Sequence, residues 1–371
     1  MGIPFPVASR SQRRYANVQS VNNLSAGGSF QVIQVPASGW VRGFELLFSQ
    51  AVTFASGGAV VTGDTPWSLI NNVTVTDATG QPVIQPISGF GLYLKNKMSG
   101  RSEAVNFQGA YGNPMMSPEY AFSSTATDAV AKFRLNLDFE VDSKSGYGCI
   151  PNLDSNASLQ IKVDYNVHTN AFTGTGASVA TLSMRVSQRY WAPVGSSIGG
   201  APVDNAPPGA GDYLETRYET QTVSAAAENL ITLTNRGGLI KSLILVSRAA
   251  GVRTAPTAGA NFGILLDNQP IYEGIPIEEF FDETRRMFGY FGADLTTSYA
   301  PLTAGVTPGL DRGVVAIQFG GMSGGRDAWL NTRAGSLLQL KFTPGASATT
   351  VEVYTELMQV KDPASFYNAG A

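Results

Sequence analysis

Four carboxylates crowd one stretch of the chain: Glu278, Glu279, Asp282 and Glu283, within Asp267–Phe288 (DNQPIYEGIPIEEFFDETRRMF). Paired carboxylates serve as general acid and base when burial pushes their pKa values apart. The spacing here points elsewhere. Ile277, Phe280, Phe281 and Phe288, with neutral Thr284, recur at helical intervals, which puts the acids on the polar face of an amphipathic helix. Glu278 and Glu279 open this helix and Arg285 and Arg286 close it, an order the helix dipole favours. A solvated or interface-facing role is expected of them.

Other reactive residue types are sparse. Gly195-Ser-Ser197-Ile-Gly199 and Gly321-Met-Ser323-Gly-Gly325 match the pattern of a serine-hydrolase elbow. Neither opens a helical pattern, and His168, the one histidine, precedes both rather than following as a base. His168 reads as a surface or loop residue at a strand end. One His and one Cys, Cys149, cannot make a zinc site, and oxygen ligands for calcium are widely scattered. Gly320–Asp327 lacks the Lys-Ser/Thr of a phosphate cradle and reads as a turn. The expectation is a non-enzymatic chain with no catalytic residue, metal or cofactor.

The elements that would carry these residues occur twice. Asp77–Met98, DATGQPVIQPISGFGLYLKNKM, repeats the skeleton of Asp267–Phe288: Asp77, Pro86, Ile87, Phe90, Lys95 and Met98 match Asp267, Pro276, Ile277, Phe280, Arg285 and Phe288. The flanking strands repeat in order as well. Phe30–Val35 is answered by Leu230–Thr234, Gly39–Leu47 by Gly238–Val246, the Lys132 strand by Gly313–Phe319, Leu159–Val163 by Leu338–Phe342, and Thr181–Trp191 by Val351–Val360. The long loop Ser99–Asp128 has no evident counterpart in the second copy. Many short strands with one helix per copy predict an all-β chain of two tandem jelly-roll sandwiches. The expected divisions are a basic N-terminal arm over 1–28, a first jelly roll over 29–193, a Gly/Pro-rich linker over 194–215, a second jelly roll over 216–363 and a tail over 364–371.

Composition narrows the partners. Only 14% of the 371 residues are charged while 43% are hydrophobic, and 41 Gly and 20 Pro mark long loops. So few charges protect a free surface poorly, so extensive burial against partners is expected. A net charge of −3 argues against a general nucleic-acid binder. No signal peptide or membrane-length apolar run is found, and a single cysteine excludes an intrachain disulfide, which predicts a soluble chain made in a reducing cytoplasm. Arg10, Arg13 and Arg14 cluster in the arm, either as a solvated, disordered terminus or as a contact for an anionic lipid surface. The four Trp fall in or beside strands and read as core or interface.

Two tandem jelly rolls, a helix in each, a basic arm and few catalytic groups resemble the double jelly-roll major capsid proteins of tectivirus-like membrane-containing phages and the adenovirus hexon. The resemblance covers Phe30–Pro363 and rests on architecture and repeat, with no short diagnostic motif. It implies a structural capsid protein of a tailless icosahedral virus, a bacteriophage, present in the virion. Homotrimers would form pseudo-hexameric capsomers over an internal membrane, with penton and minor capsid proteins as further partners. Arg10, Arg13 and Arg14 would face the membrane. Interface candidates are Lys95 and Lys97 on the first helix, Glu278, Glu279, Asp282 and Glu283 on the second, and the anchors Phe366 and Tyr367. Opposite signs on the two helices would let one meet the other between subunits. Ser99–Asp128 is the candidate contact loop or outward tower. The alternative is a jelly-roll carbohydrate-binding or adhesin module, which would present an aromatic platform; a cupin-type enzyme would need a His-rich site.

Overall fold

The computed structural model describes residues 12–24, 29–61, 64–77, 79–98, 120–124, 128–141, 146–154, 158–192, 197–198, 201–202, 207, 212–225, 227–254, 256–257, 259–288, 313–319, 328–345 and 349–360. In the first half the elements run β1 (Gln12–Leu24), β2 (Ser29–Gln34), β3 (Gly39–Val61), β4 (Ile70–Thr76), β5 (Pro82–Ile87), α1 (Gly89–Met98), β6 (Tyr120–Ser124), β7 (Asp128–Asp138), β8 (Ile150–Asn152), β9 (Gln160–Tyr165) and β10 (Phe172–Ala192). A small hairpin follows, β11 (Ser197–Ile198) and β12 (Ala201–Pro202). The second half runs β13 (Leu214–Val223), β14 (Asn229–Leu233), β15 (Leu239–Ala249), β16 (Val252–Arg253), β17 (Asn261–Leu266), β18 (Gln269–Pro276), α2 (Ile277–Phe288), β19 (Val314–Gln318), β20 (Leu330–Asn331), β21 (Leu338–Phe342) and β22 (Thr349–Met358).

Strand pairing confirms the duplication. The first half builds one sheet in the order β1-β10-β3-β7 and a second in the order β2-β9-β4-β5; the second half repeats them as β13-β22-β15-β19 and β14-β21-β17-β18. Eight strands in two facing sheets, in that order, make a jelly roll, and the chain has two. Alternation drives each sheet. In β22, Val351, Val353 and Leu357 point into the second core while Glu352, Tyr354 and Glu356 point the other way.

The described strands revise the expected boundaries. Gln12–Leu24, assigned to a free arm, is β1, paired antiparallel along β10 from Gln12–Ala192 to Leu24–Leu182. Its counterpart is β13. Both were overlooked because their apolar residues are thinned by Gln, Asn and Thr. β3 and β10 also extend beyond their predicted cores, pairing as far as Val61 and Phe172. The end of the expected long loop forms β6 and the start of β7, while 99–119 lies outside the described residues. The matching connection in the second copy, 289–313, is present and shorter, rather than missing. The turn after β4 differs from its partner for a simple reason. Asp77 Oδ1 accepts from Thr79 N, Thr79 Oγ1 and Gln81 N within a longer turn. Asp267 and Asn268 instead adopt positive φ in a two-residue hairpin.

Candidate functional site

The two barrels are welded along one seam. β5 of the first runs parallel to β13 of the second, with Ile84 opposite Thr216, so one sheet crosses from barrel to barrel. The outward residues Ile244, Val246, Val314, Ala316 and Tyr354 of the second barrel join the hydrophobic core of the first. What they cover is α1. Phe90, Leu92, Tyr93, Leu94 and Met98 are all buried, with Trp67 stacked on Tyr93 at 3.5 Å between centroids. Gly91 allows the close approach: a Cβ there would lie 2.3 Å from the Tyr354 ring. Ser88 caps the helix, its Oγ accepting from Gly91 N at 3.1 Å and lying 3.2 Å from the Tyr354 hydroxyl.

Charged groups line the same seam. Arg248 donates to Asp64 at 2.7 Å and to Glu352 at 3.0 Å, and Arg253 reaches Asp64 at 2.8 Å. Both guanidiniums lie over Phe90, at 5.4 and 5.1 Å from its centroid. Burial opposes the charge on Arg248, but Asp64 and Glu352 together outweigh it and its pKa is raised. Burial, then the charge of Glu352, drives the Tyr354 phenol well above its ordinary value. Tyr213, beside this seam, is pushed up to about 12 by burial and then by Glu215. These tyrosines stay neutral at physiological pH.

Lys95, expected on a surface facing a neighbouring subunit, is 2% exposed and lies 3.8 Å from Glu356 of the same chain. Lys241 approaches that carboxylate at 3.4 Å and Ser242 donates to it at 2.8 Å. The first helix does meet an acidic partner, but it is a strand of the second barrel and not the second helix. Lys97, near the end of α1, is half-buried. Asp64, Arg248, Arg253, Tyr354 and Glu356 were missed in the sequence. Arg248, Arg253, Tyr354 and Glu356 lie on strands, where an outward-phase residue looks the same whether solvent or protein covers it, and Asp64 lies in a turn.

α2 occupies the equivalent place on the second barrel, with a different environment. Ile277, Phe280 and Thr284 are buried, and Phe280 packs edge-on to Phe262 and Tyr272. Thr284 Oγ1 donates to Phe280 O at 2.7 Å and accepts from Ala316 N at 3.2 Å, fixing the helix to β19. Glu278 accepts from Gly259 N at 2.6 Å. Glu279 and Asp282 are exposed and Glu283 is half-buried. Glu279 and Glu283 help line a cavity of about 400 Å³ with Tyr272, Ile275, Met287 and Gln318.

Arg13 and Arg14 are exposed on β1, with the Arg13 guanidinium 5.0 Å from the centroid of Trp191. Arg42 lies 5.0 Å from the same ring and pairs with Glu140 at 2.6 Å. Arg10, Phe366 and Tyr367 lie outside the described residues. His168 is half-buried in a short 3-10 turn, as its strand-end position suggested. Ser197 lies in the two-residue strand β11, and Ser323 is outside the described residues. Among the described residues no group of three His, Cys, Asp or Glu is placed to hold a metal ion.

No protein-family model and no curated protein matches the sequence. Solved structures do match the fold. The MCP of STIV, Sulfolobus Turreted Icosahedral Virus, superposes with a TM-score of 0.62 at 12% identity over 96% of this chain and 98% of that one. The major capsid protein P2 of Bacteriophage PM2 gives 0.55 at 14% identity, covering 95% and 99%. The PBCV-1 virus capsid gives 0.59 at 13%, covering 94% of each chain. The chain shares the double jelly-roll fold of these coat proteins over 94–96% of its length.

Proposed function

We propose that this chain is the structural major capsid protein of a tailless icosahedral virus. The observation that carries the reading is the fusion of two like-ordered jelly rolls into one block, over the whole length of solved coat proteins. Three such blocks present six similar barrels, so a homotrimer has the near-hexagonal outline that tiles a shell. The likeness to the PM2 coat supports a bacteriophage host, and the same fold in STIV and PBCV-1 shows that it serves other hosts too. Penton and minor capsid proteins would close the shell, and an internal membrane would lie beneath it. The chain itself does no chemistry in this role.

The buried tryptophans disfavour the carbohydrate-binding alternative. Trp40, Trp67, Trp191 and Trp329 are 9%, 1%, 2% and 8% exposed, so none supplies the open stacking platform such a module needs. Mass determination in solution with negative-stain imaging tests the capsid reading. Trimers that associate into shells or sheets support it; a monomer that binds glycans and never assembles overturns it.

A further inference from the structure

Helix α1 has little reason to form by itself. It spans ten residues, Gly89–Met98, with glycine at its first and third positions and no acidic residue in its first turn. A helix this short is marginal in water even when built from good helix formers. Nor does it keep a solvent face, because Phe90, Leu92, Tyr93, Leu94, Lys95 and Met98 are all buried. Its order therefore comes from what surrounds it.

Much of that surrounding belongs to the second barrel, which touches the helix from end to end. The capping hydroxyl of Ser88 lies 3.2 Å from the Tyr354 hydroxyl. Phe90 lies beneath Arg248 and Arg253, Gly91 meets the Tyr354 ring, and Lys95 faces Glu356. At the last residue, Met98 O accepts from the Gln318 side chain. Tyr354 and Glu356 stand on β22, which is held between β13 and β15. The dock for α1 is thus complete only when β22, the last described strand, is in place.

The dependence runs one way. Without α1, the groups of the second barrel keep partners of their own. Arg248 still has Glu352 at 3.0 Å, and Tyr354 donates to Glu352 at 3.1 Å. Glu356 keeps Lys241 at 3.4 Å and Ser242 at 2.8 Å. Among the described residues, the core of that barrel draws on positions 223–357 alone. The core that includes α1 instead contains Ile244, Val246, Val314, Ala316 and Tyr354 of the other barrel. Asp64, from the turn before Trp67, likewise pairs with Arg248 and Arg253 across the seam. We propose that α1 is the latch of this seam: it docks after β22 has closed the second barrel, and it opens before that barrel does. A chain without β22 leaves Phe90, Tyr93 and Leu94 short of their cover, an apolar mark that separates an unfinished chain from a complete one. The inference stands on the seam and does not depend on the capsid reading.

Pulsed hydrogen exchange of the full chain in rising urea tests the order. Amides of α1 are expected to lose protection in a first step, and those of the β15–β22 and β17–β21 ladders in a later one. Tyr354→Ser takes the ring away from α1 without entering the second core. It is expected to raise the population of the open latch about a hundredfold, while the later step keeps its midpoint. A single step for all these amides overturns the proposal, as does protection of α1 after β22 has opened. A first step that Tyr354→Ser leaves in place, or a later step that it shifts or abolishes, overturns it equally. None of these outcomes touches the capsid reading, which stands or falls on assembly.

Discussion

Lys95 and Glu356 lie 3.8 Å apart with side chains each 3% exposed, and Lys241 shares the same carboxylate at 3.4 Å. Two charges taken so far from water gain little net stability over an apolar pair, but losing one partner strands the other. Lys95→Ala is expected to cost roughly 3 kcal/mol in chemical denaturation, at the low end for buried pairs because Lys241 remains. Lys95→Met with Glu356→Gln should cost much less; equal losses in the two variants would show that packing, not charge, governs the site. Asp267 offers a pH signature. Its Oδ1 accepts from Ser336 Oγ, Leu337 N and Ser336 N, and these bonds, the Ser336 hydroxyl first, hold its pKa below the ordinary carboxylate value. A depressed folded pKa adds stability that is complete above the unfolded value near 3.8 and fades as pH falls towards the folded one. Asp267→Asn should therefore flatten the stability profile below about pH 4. An acid limb identical to that of the wild type would refute the role.

At the scale of elements, α1 and α2 show how equivalent sequences acquire different surroundings. The 22-residue skeleton shared by Asp77–Met98 and Asp267–Phe288 located both helices, because apolar spacing and a preceding proline act locally. It did not reveal that α1 is buried by the second barrel while α2 keeps an acidic flank. One cue was available: Gly89 and Gly91 are poor helix formers, and both sit where backbone or a ring approaches too closely for a side chain. Gly91→Val should thus destabilise the protein by about 2 kcal/mol despite its better side-chain burial, since the Tyr354 ring has to move. A neutral or stabilising effect in thermal unfolding would mean that the seam yields easily. β1 and β13 escaped notice for the converse reason: each ends the sheet of its own barrel and carries polar residues along most of its length, so its alternation is weak.

At the scale of the whole molecule, the arm expected at 1–28 is an integral strand over Gln12–Leu24, which limits how Arg13 and Arg14 reach a membrane. Replacing Arg10, Arg13 and Arg14 together by Ala should reduce binding to anionic vesicles in flotation, by up to about 1 kcal/mol per residue removed, with trimers retained. Undiminished flotation would leave these arginines a role on the barrel surface alone, as Arg13 has over Trp191. The sequence by itself determined the duplication, the all-β character, the two helices and the repeated series of apolar strands, because alternation, helical spacing and turn residues are written over a few neighbouring positions. Only the tertiary structure decided which outward faces meet protein and which meet solvent. Tyr354 and Glu356 share the phase of any exposed strand residue, and their burial depends on the first barrel, more than two hundred residues away in sequence and brought alongside by the β5–β13 junction.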